Sequence, residues 1–101
     1  MKLKQLIDAG LIQPGAQLRQ RYLGQDVSAT VEPDGRVRVG NEIYKSLSIA
    51  AGAARVAVKG PPPDGRHYYQ TNGWTFWQFA DANGTRRLIE TLREQYLRAQ
   101  Q

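Results

Sequence analysis

A chain of 101 residues has room for one hydrophobic core, so the sequence predicts a single domain over residues 1–101. The lack of cysteine excludes disulfides and thiolate zinc sites, and no apolar run approaches the roughly 20 residues of a membrane span. A net charge of +5 favours a polyanionic partner such as DNA, although a merely soluble basic surface would explain it as well.

The first predicted element is a short N-terminal helix. Leu3, Leu6 and Ile7 recur at i, i+3 and i+4, and Gly10 supplies a stop. This amphipathic segment does not resemble a signal peptide, so we expect a cytoplasmic protein, associated with the nucleoid in a bacterium.

The chain then changes to an alternating pattern. Residues 16–23 place Leu18 and Tyr22 on one face of a strand and Arg19 and Arg21 on the other. The two arginines are therefore expected on the side that faces solvent.

A meander is predicted next. Residues 27–31 alternate as a half-buried strand should, and the turn at 33–35 leads into a strand with its valines inward and Arg36 and Arg38 outward. Residues 42–45 form a further short strand, so this part of the chain contributes three or four strands to the sheet.

A helix follows the meander. Residues 49–58 keep a helical spacing of small apolar side chains, and either Ser46 or Ser48 can be the N-cap. Gly52 should weaken this helix by about 1 kcal/mol relative to alanine. Three prolines end it in a loop at 59–66.

The stretch Asn72–Phe79 holds both tryptophans of the chain. As a strand it would place Trp74 and Phe76 on one face and Trp77 and Phe79 on the other. A strand that is aromatic on both faces must be covered twice or must use one face for a partner. We expect Trp77 in the core and Trp74, beside the Asn-Gly turn, available to a ligand.

After a turn at 81–84, an apolar stripe within residues 88–97 predicts a terminal helix. Arg86 and Arg87 would then lie in its first turn, where the helix dipole disfavours cations. Either an anion docks there or both side chains point into water.

No enzymatic constellation is evident. The single histidine, His67, falls in a loop and is expected to be solvated, and the acidic residues are not spaced as metal ligands. Phosphate-binding glycine loops are absent, and no base accompanies the two serines. We predict a binding protein that is not an enzyme and has no cofactor and no metal.

Several motifs in order resemble a RAMA domain, the restriction enzyme adenine methylase associated module, similar to the C-terminal DNA-binding domain of β-class DNA adenine methyltransferases. The resemblance covers about residues 6–97, and its motifs are Leu6–Ile12, Pro14-Gly15, Asp34-Gly35, Ser46-Leu47-Ser48 and Asn72-Gly73-Trp74-Thr75-Phe76-Trp77. The most specific part is the serine-bearing helix start followed by the Asn-Gly-Trp-x-Phe-Trp stretch. Residues 59–71 depart from the pattern, because this connection looks longer and contains three consecutive prolines.

The resemblance implies a small stand-alone DNA-binding module that senses N6-methyladenine or assists a DNA restriction-modification system, with a separate DNA-modifying enzyme as a further partner. It does not imply methyl transfer, because the catalytic domain and its cofactor motif are absent. By motif, Ser46 and Trp74 are the positions expected at the DNA.

The predicted DNA contacts combine the residues and the resemblance. The serines would hold a phosphate oxygen, Trp74 would stack on an exposed base, the arginines would contact the backbone, and Asn72 is the candidate for adenine readout. Lys59 and Arg66 would add to the positive electrostatic potential that these arginines create. The full set is Ser46, Ser48, Asn72, Trp74, Arg19, Arg21, Arg36, Arg38, Arg86 and Arg87.

The predicted fold is α+β, with a curved, mostly antiparallel sheet of four or five strands and three helices in the order helix, three or four strands, helix, strand, helix. Two other functions stay open. One is a protein-interaction adaptor that docks through the aromatic strand and the proline loop, and the other is a structural subunit that dimerises through the aromatic strand. The oligomeric state is left open.

Overall fold

The computed structural model describes residues 1–100 as an α+β fold, and the predicted class is confirmed, with six strands where four or five were expected and four helices where three were expected. The helices are α1 (Leu3–Asp8), α2 (Leu47–Lys59), α3 (Gly73–Phe76) and α4 (Glu90–Ala99). The strands are β1 (Gln17–Tyr22), β2 (Gln25–Val31), β3 (Val37–Val39), β4 (Glu42–Tyr44), β5 (Gln78–Ala80) and β6 (Arg86–Leu88).

All strands belong to one antiparallel sheet in the order β4-β3-β2-β1-β5-β6. The β1–β2 hairpin closes through Leu23 and Gly24, whose φ angles of 49° and 79° are those of a turn that matches the strand twist. The predicted β2–β3 hairpin is confirmed, with Val31 opposite Val37. Late in the chain, β5 returns to pair with β1 through Gln78 and Arg19, so the sheet joins both halves of the sequence.

One face of the sheet carries the core, which α2 covers. Leu18, Val31, Val37 and Trp77 are fully enclosed at 0% exposure, so the prediction for Trp77 is confirmed. Because Leu18 points into the core, its neighbour Arg19 points to the opposite face, where Arg19, Arg21 and Ser28 are exposed. The sheet therefore has a packed inner face and an open outer face.

The proline-rich connection lies against α2. The Arg55 guanidinium lies 4.6 Å from the centroid of the Tyr69 ring and donates to the Thr71 hydroxyl at 2.9 Å and the Tyr22 hydroxyl at 3.0 Å. The bond from Arg55 lowers the pKa of Tyr22 below its ordinary value. The connection is therefore held in place, while His67 stays exposed as predicted.

Gly52 lies where this connection crosses α2 and gives a first prediction. Alanine there should add about 1 kcal/mol of helix propensity, but its Cβ would stand 2.3 Å from the backbone oxygen of Tyr69. Steric overlap should prevail, so Gly52→Ala is expected to destabilise the domain by about 1–3 kcal/mol. Urea unfolding checks the sign, with Ala57→Gly, at an exposed position of α2, as the measure of propensity alone. A stabilised Gly52→Ala variant would contradict the packing.

The aromatic stretch is not the predicted strand. Residues 73–76 form the single turn α3, and only Gln78–Ala80 is a strand. The side chain of Asn72 accepts a hydrogen bond from Trp74 N at 3.0 Å and so caps this helical turn. An Asn-Gly sequence is compatible both with such a cap and with a hairpin turn. Tertiary packing of Gly73 against α2 decides between the two.

Arg86 and Arg87 are likewise not in the first turn of the last helix. They lie on β6, and α4 begins at Glu90, which places an acid where the helix dipole favours one. The carboxylate of Asp81 accepts from the backbone N–H groups of Asn83 and Thr85, both at 2.9 Å, and this turn directs the chain into β6. The predicted electrostatic conflict therefore does not arise.

Candidate nucleic-acid interface

The serine-bearing start of α2 and the Asn-Gly-Trp-x-Phe-Trp stretch pack directly against each other. Ser46 is the N-cap, and its Oγ accepts from Ile49 N at 3.1 Å. Ser48 Oγ instead accepts from Gly73 N at 2.9 Å. The buried Trp77 indole donates its N–H to the Leu47 carbonyl at 3.1 Å. These bonds explain why the two motifs occur together, because each satisfies polar groups of the other.

Beside this junction lies a groove of about 430 Å³, which we call the α2 groove. It is bounded by the start of α1, the β2–β3 turn, the start of α2 and the indole of Trp74. Its lining comprises Met1, Lys2, Leu3, Lys4, Asp34, Gly35, Arg36, Lys45, Ser46, Leu47, Ser48 and Trp74. The fold thus brings together Ser46, Ser48 and Trp74, which lie far apart in sequence.

The α2 groove is cationic. Arg36 forms an ion pair with Asp34 at 2.6 Å, and Lys4 pairs with Asp8. Hydrogen bonds from the Arg36 backbone N–H and guanidinium lower the pKa of Asp34. Within the described range 1–100, Lys2 and Lys45 form no ion pair, so these two charges are the ones available to a ligand.

Two backbone N–H groups at the start of α2, beside the α2 groove, also lack a hydrogen-bond partner within residues 1–100. The N–H groups of Leu47 and Ser48 are in the first turn of α2 and have no acceptor among the residues described. Each serine hydroxyl accepts one backbone bond and keeps its own proton to donate. Such donors, together with the positive end of the helix dipole, favour the binding of an anion.

Trp74 is half-buried and is supported from one side. The Arg93 guanidinium lies 4.9 Å from the centroid of its ring, and Arg93 is held by the Glu90 carboxylate through contacts of 2.6 and 2.8 Å. A cation held over a ring face fixes the orientation of the indole. Sequence reasoning missed Arg93 and Lys45 as parts of the site, and the i, i+3 pairing of Glu90 with Arg93 was the only local signal.

Arg36 lies just before β3 and lines the α2 groove, although it was predicted on the outer face. Asn72 does not line it, because its side chain caps α3. Four arginines lie away from the groove: Arg19, Arg21 and Arg38 face the outer side of the sheet, and Arg87 pairs with Asp81 at 2.7 Å. Arg86 lines a second cavity with Arg19.

In the range 1–100, no group of three or more His, Cys, Asp or Glu side chains could hold a metal ion. Across that part of the chain, no helix has the length and apolar character that crossing a membrane requires.

The fold and the α2 groove define a small basic α+β module with a groove at the start of a helix. A comparison with protein families matches residues 1–101 to RAMA, described as Restriction Enzyme Adenine Methylase Associated. The chain belongs to this family, as the sequence motifs predicted, and the description links it to adenine methylases of restriction-modification systems. A comparison with curated proteins finds no match.

Proposed function

We propose that this domain binds DNA through the α2 groove and is not itself an enzyme. The observation that carries the proposal is the convergence of unpaired lysines, free helix N–H groups and a supported indole on one groove. The lysines and the N–H groups would bind a phosphate, and the indole would stack on an exposed base or sugar. The family description, which names adenine methylases, agrees with a DNA-directed role.

The phosphate would lie at the start of α2. There the N–H groups of Leu47 and Ser48 and the hydroxyl of Ser46 can donate to its oxygens, and Lys45 supplies a counter-charge. Such contacts hold DNA in register without reading its sequence.

The base would lie against Trp74. A cavity of about 430 Å³ falls within the range of sites that enclose small molecules, so a nucleobase unstacked from its neighbours fits it. The apolar part of the lining, Leu3 and Leu47, would then suit the methyl group of N6-methyladenine. We extend the proposal to a preference for methylated adenine and to action beside a separate DNA-modifying enzyme.

An adaptor that docks through the aromatic stretch has less support. Phe76 and Trp77 are buried in the core, so the stretch offers no continuous apolar face. In the proline loop, Pro62 is buried and Tyr69 packs on Arg55.

The test is a titration of a fluorescent duplex at two salt concentrations. Lys45→Gln should lower the slope of log K against log salt by about 1 if Lys45 contacts a phosphate. Arg66→Gln removes an equal charge that is paired with Asp64 away from the groove, and should leave the slope unchanged. Equal slopes for wild type and Lys45→Gln would contradict the phosphate contact.

The indole is tested in the same assay. Trp74→Ala should weaken binding by about tenfold or more, because stacking on a base contributes about 1–3 kcal/mol. Tyr68→Ala removes another exposed ring, 41% accessible and outside the groove, and should have no effect. Duplexes with and without N6-methyladenine then measure the preference. Failure of both single- and double-stranded DNA to bind at low salt would end the proposal.

A further inference from the structure

The open outer face of the sheet carries a second cationic cavity, which we call the outer arginine pocket. It has a volume of about 140 Å³ and is lined by Arg19, Asp26, Val27, Ser28 and Arg86. Strand pairing builds it: β1 places Arg19 opposite Ser28 of β2 on one side and opposite Gln78 of β5 on the other. Arg86 follows from the next strand, where it pairs with Ala80.

Pairing distinguishes these two arginines from the others on that face. Arg21 is neutralised by Asp26 at 3.2 Å and Arg38 by Glu32 at 3.1 Å. Neither Arg19 nor Arg86 forms an ion pair with any acid in residues 1–100. Asp26 stands at the edge of the pocket, but Arg21 already compensates its charge.

The chemistry of the pocket suits a phosphate. Two like-charged guanidinium groups around one cavity repel each other until an anion lies between them, and each can donate two parallel hydrogen bonds to phosphate oxygens. The Ser28 hydroxyl also lines the pocket and can donate a further one.

The pocket lies on the outer face of the sheet, whereas the α2 groove lies at the start of α2, the helix that packs on the inner face, and the two share no residue. Arg19 points away from the core that contains Leu18, whereas α2 covers that core. The domain measures 42 × 25 × 24 Å, so a straight duplex that follows one face does not reach the other.

We propose that the outer arginine pocket binds a backbone phosphate of a second DNA segment, so that one domain bridges two duplexes. This inference rests on the proposed binding of the first duplex in the α2 groove. It assigns the two unpaired arginines a role that is separate from the groove.

The experiment mixes donor-labelled and acceptor-labelled short duplexes with the protein and measures energy transfer between them. Wild type should give transfer, and Arg19→Gln/Arg86→Gln should reduce it by about tenfold or more while affinity for a single duplex, measured with protein in excess, changes less than threefold. Arg38→Gln/Arg66→Gln removes the same net charge from two paired arginines and should keep the transfer. Asp26→Asn should increase it, because the acid at the pocket edge is lost and Arg21 is released.

The outcomes separate the two proposals. If wild type binds one duplex but gives no transfer, or if Arg19→Gln/Arg86→Gln keeps the transfer, bridging through the pocket is wrong and the groove proposal stands. If Arg19→Gln/Arg86→Gln abolishes all binding while Trp74→Ala changes nothing, DNA lies on the outer face alone and both proposals are wrong. Sedimentation of the free protein as a monomer excludes bridging by a preformed dimer.

Discussion

Replacement of Gly73 by alanine is expected to destabilise the domain by about 3 kcal/mol or more, the upper end of overpacking effects. The new Cβ would stand 2.2 Å from the backbone carbon of Leu47 and 2.4 Å from Ser48 N. Both atoms belong to the first turn of α2, which cannot yield without losing the bonds that join α2 to α3. Thermal unfolding should show a fall of roughly 10–25 °C for a domain of this size.

Gly24→Ala is the matched control. Gly24 has a φ of 79° but nothing within 4 Å of its hypothetical Cβ, so alanine there should cost only the local strain of about 1–2 kcal/mol. If Gly73→Ala unfolds at the same temperature as Gly24→Ala or higher, the close contact between α3 and α2 is not present in solution.

Trp77→Ala is expected to lower the free energy of unfolding by about 4 kcal/mol, a large part of the 5–15 kcal/mol that holds a typical domain together. The ring is fully enclosed, and its loss would leave a cavity against Phe76, whose ring centroid lies 4.9 Å away. The Leu47 carbonyl would also lose its buried donor. Urea unfolding should show a lower midpoint with an unchanged slope.

Two further variants show which property of Trp77 causes the loss of stability. Trp77→Phe keeps an aromatic ring but removes the indole N–H, so its free energy of unfolding should lie between those of the wild type and Trp77→Ala. Trp74→Ala should cost at most about 2 kcal/mol, because that ring is only half-buried and its partner Arg93 keeps its bond to Glu90. Equal losses for the two tryptophans would show that their different burial has no energetic consequence.

These two predictions concern the same junction as the proposed DNA site. Because Gly73 and Trp77 hold the start of α2 in place, their variants would also displace Ser48 and Trp74. They therefore measure the scaffold, whereas Lys45→Gln and Trp74→Ala measure recognition. The same contacts that stabilise the fold keep the free N–H groups of α2 and the indole on one groove.

Local patterns predicted much of the fold because they reflect short-range physics. Alternation around Leu18 and Val31 identified β1 and β2, and a serine cap, at Ser46 or Ser48, before a run of small apolar residues identified α2. The prediction of a strand over Asn72–Phe79 was wrong because Asn-Gly suits a hairpin and a helix cap equally. Arg86 and Arg87 were misplaced because the Asp81 turn directs the chain into a strand before α4 begins.

By itself, the sequence determined the α+β class, the family motifs and the excess of basic residues. Only the tertiary structure decided which charges and rings are available to a partner. Ion pairs such as Arg38–Glu32 and the stacking of Arg93 on Trp74 depend on strand pairing and helix packing. A guanidinium is available to phosphate only when no carboxylate lies within contact distance, and that distance is a property of the fold.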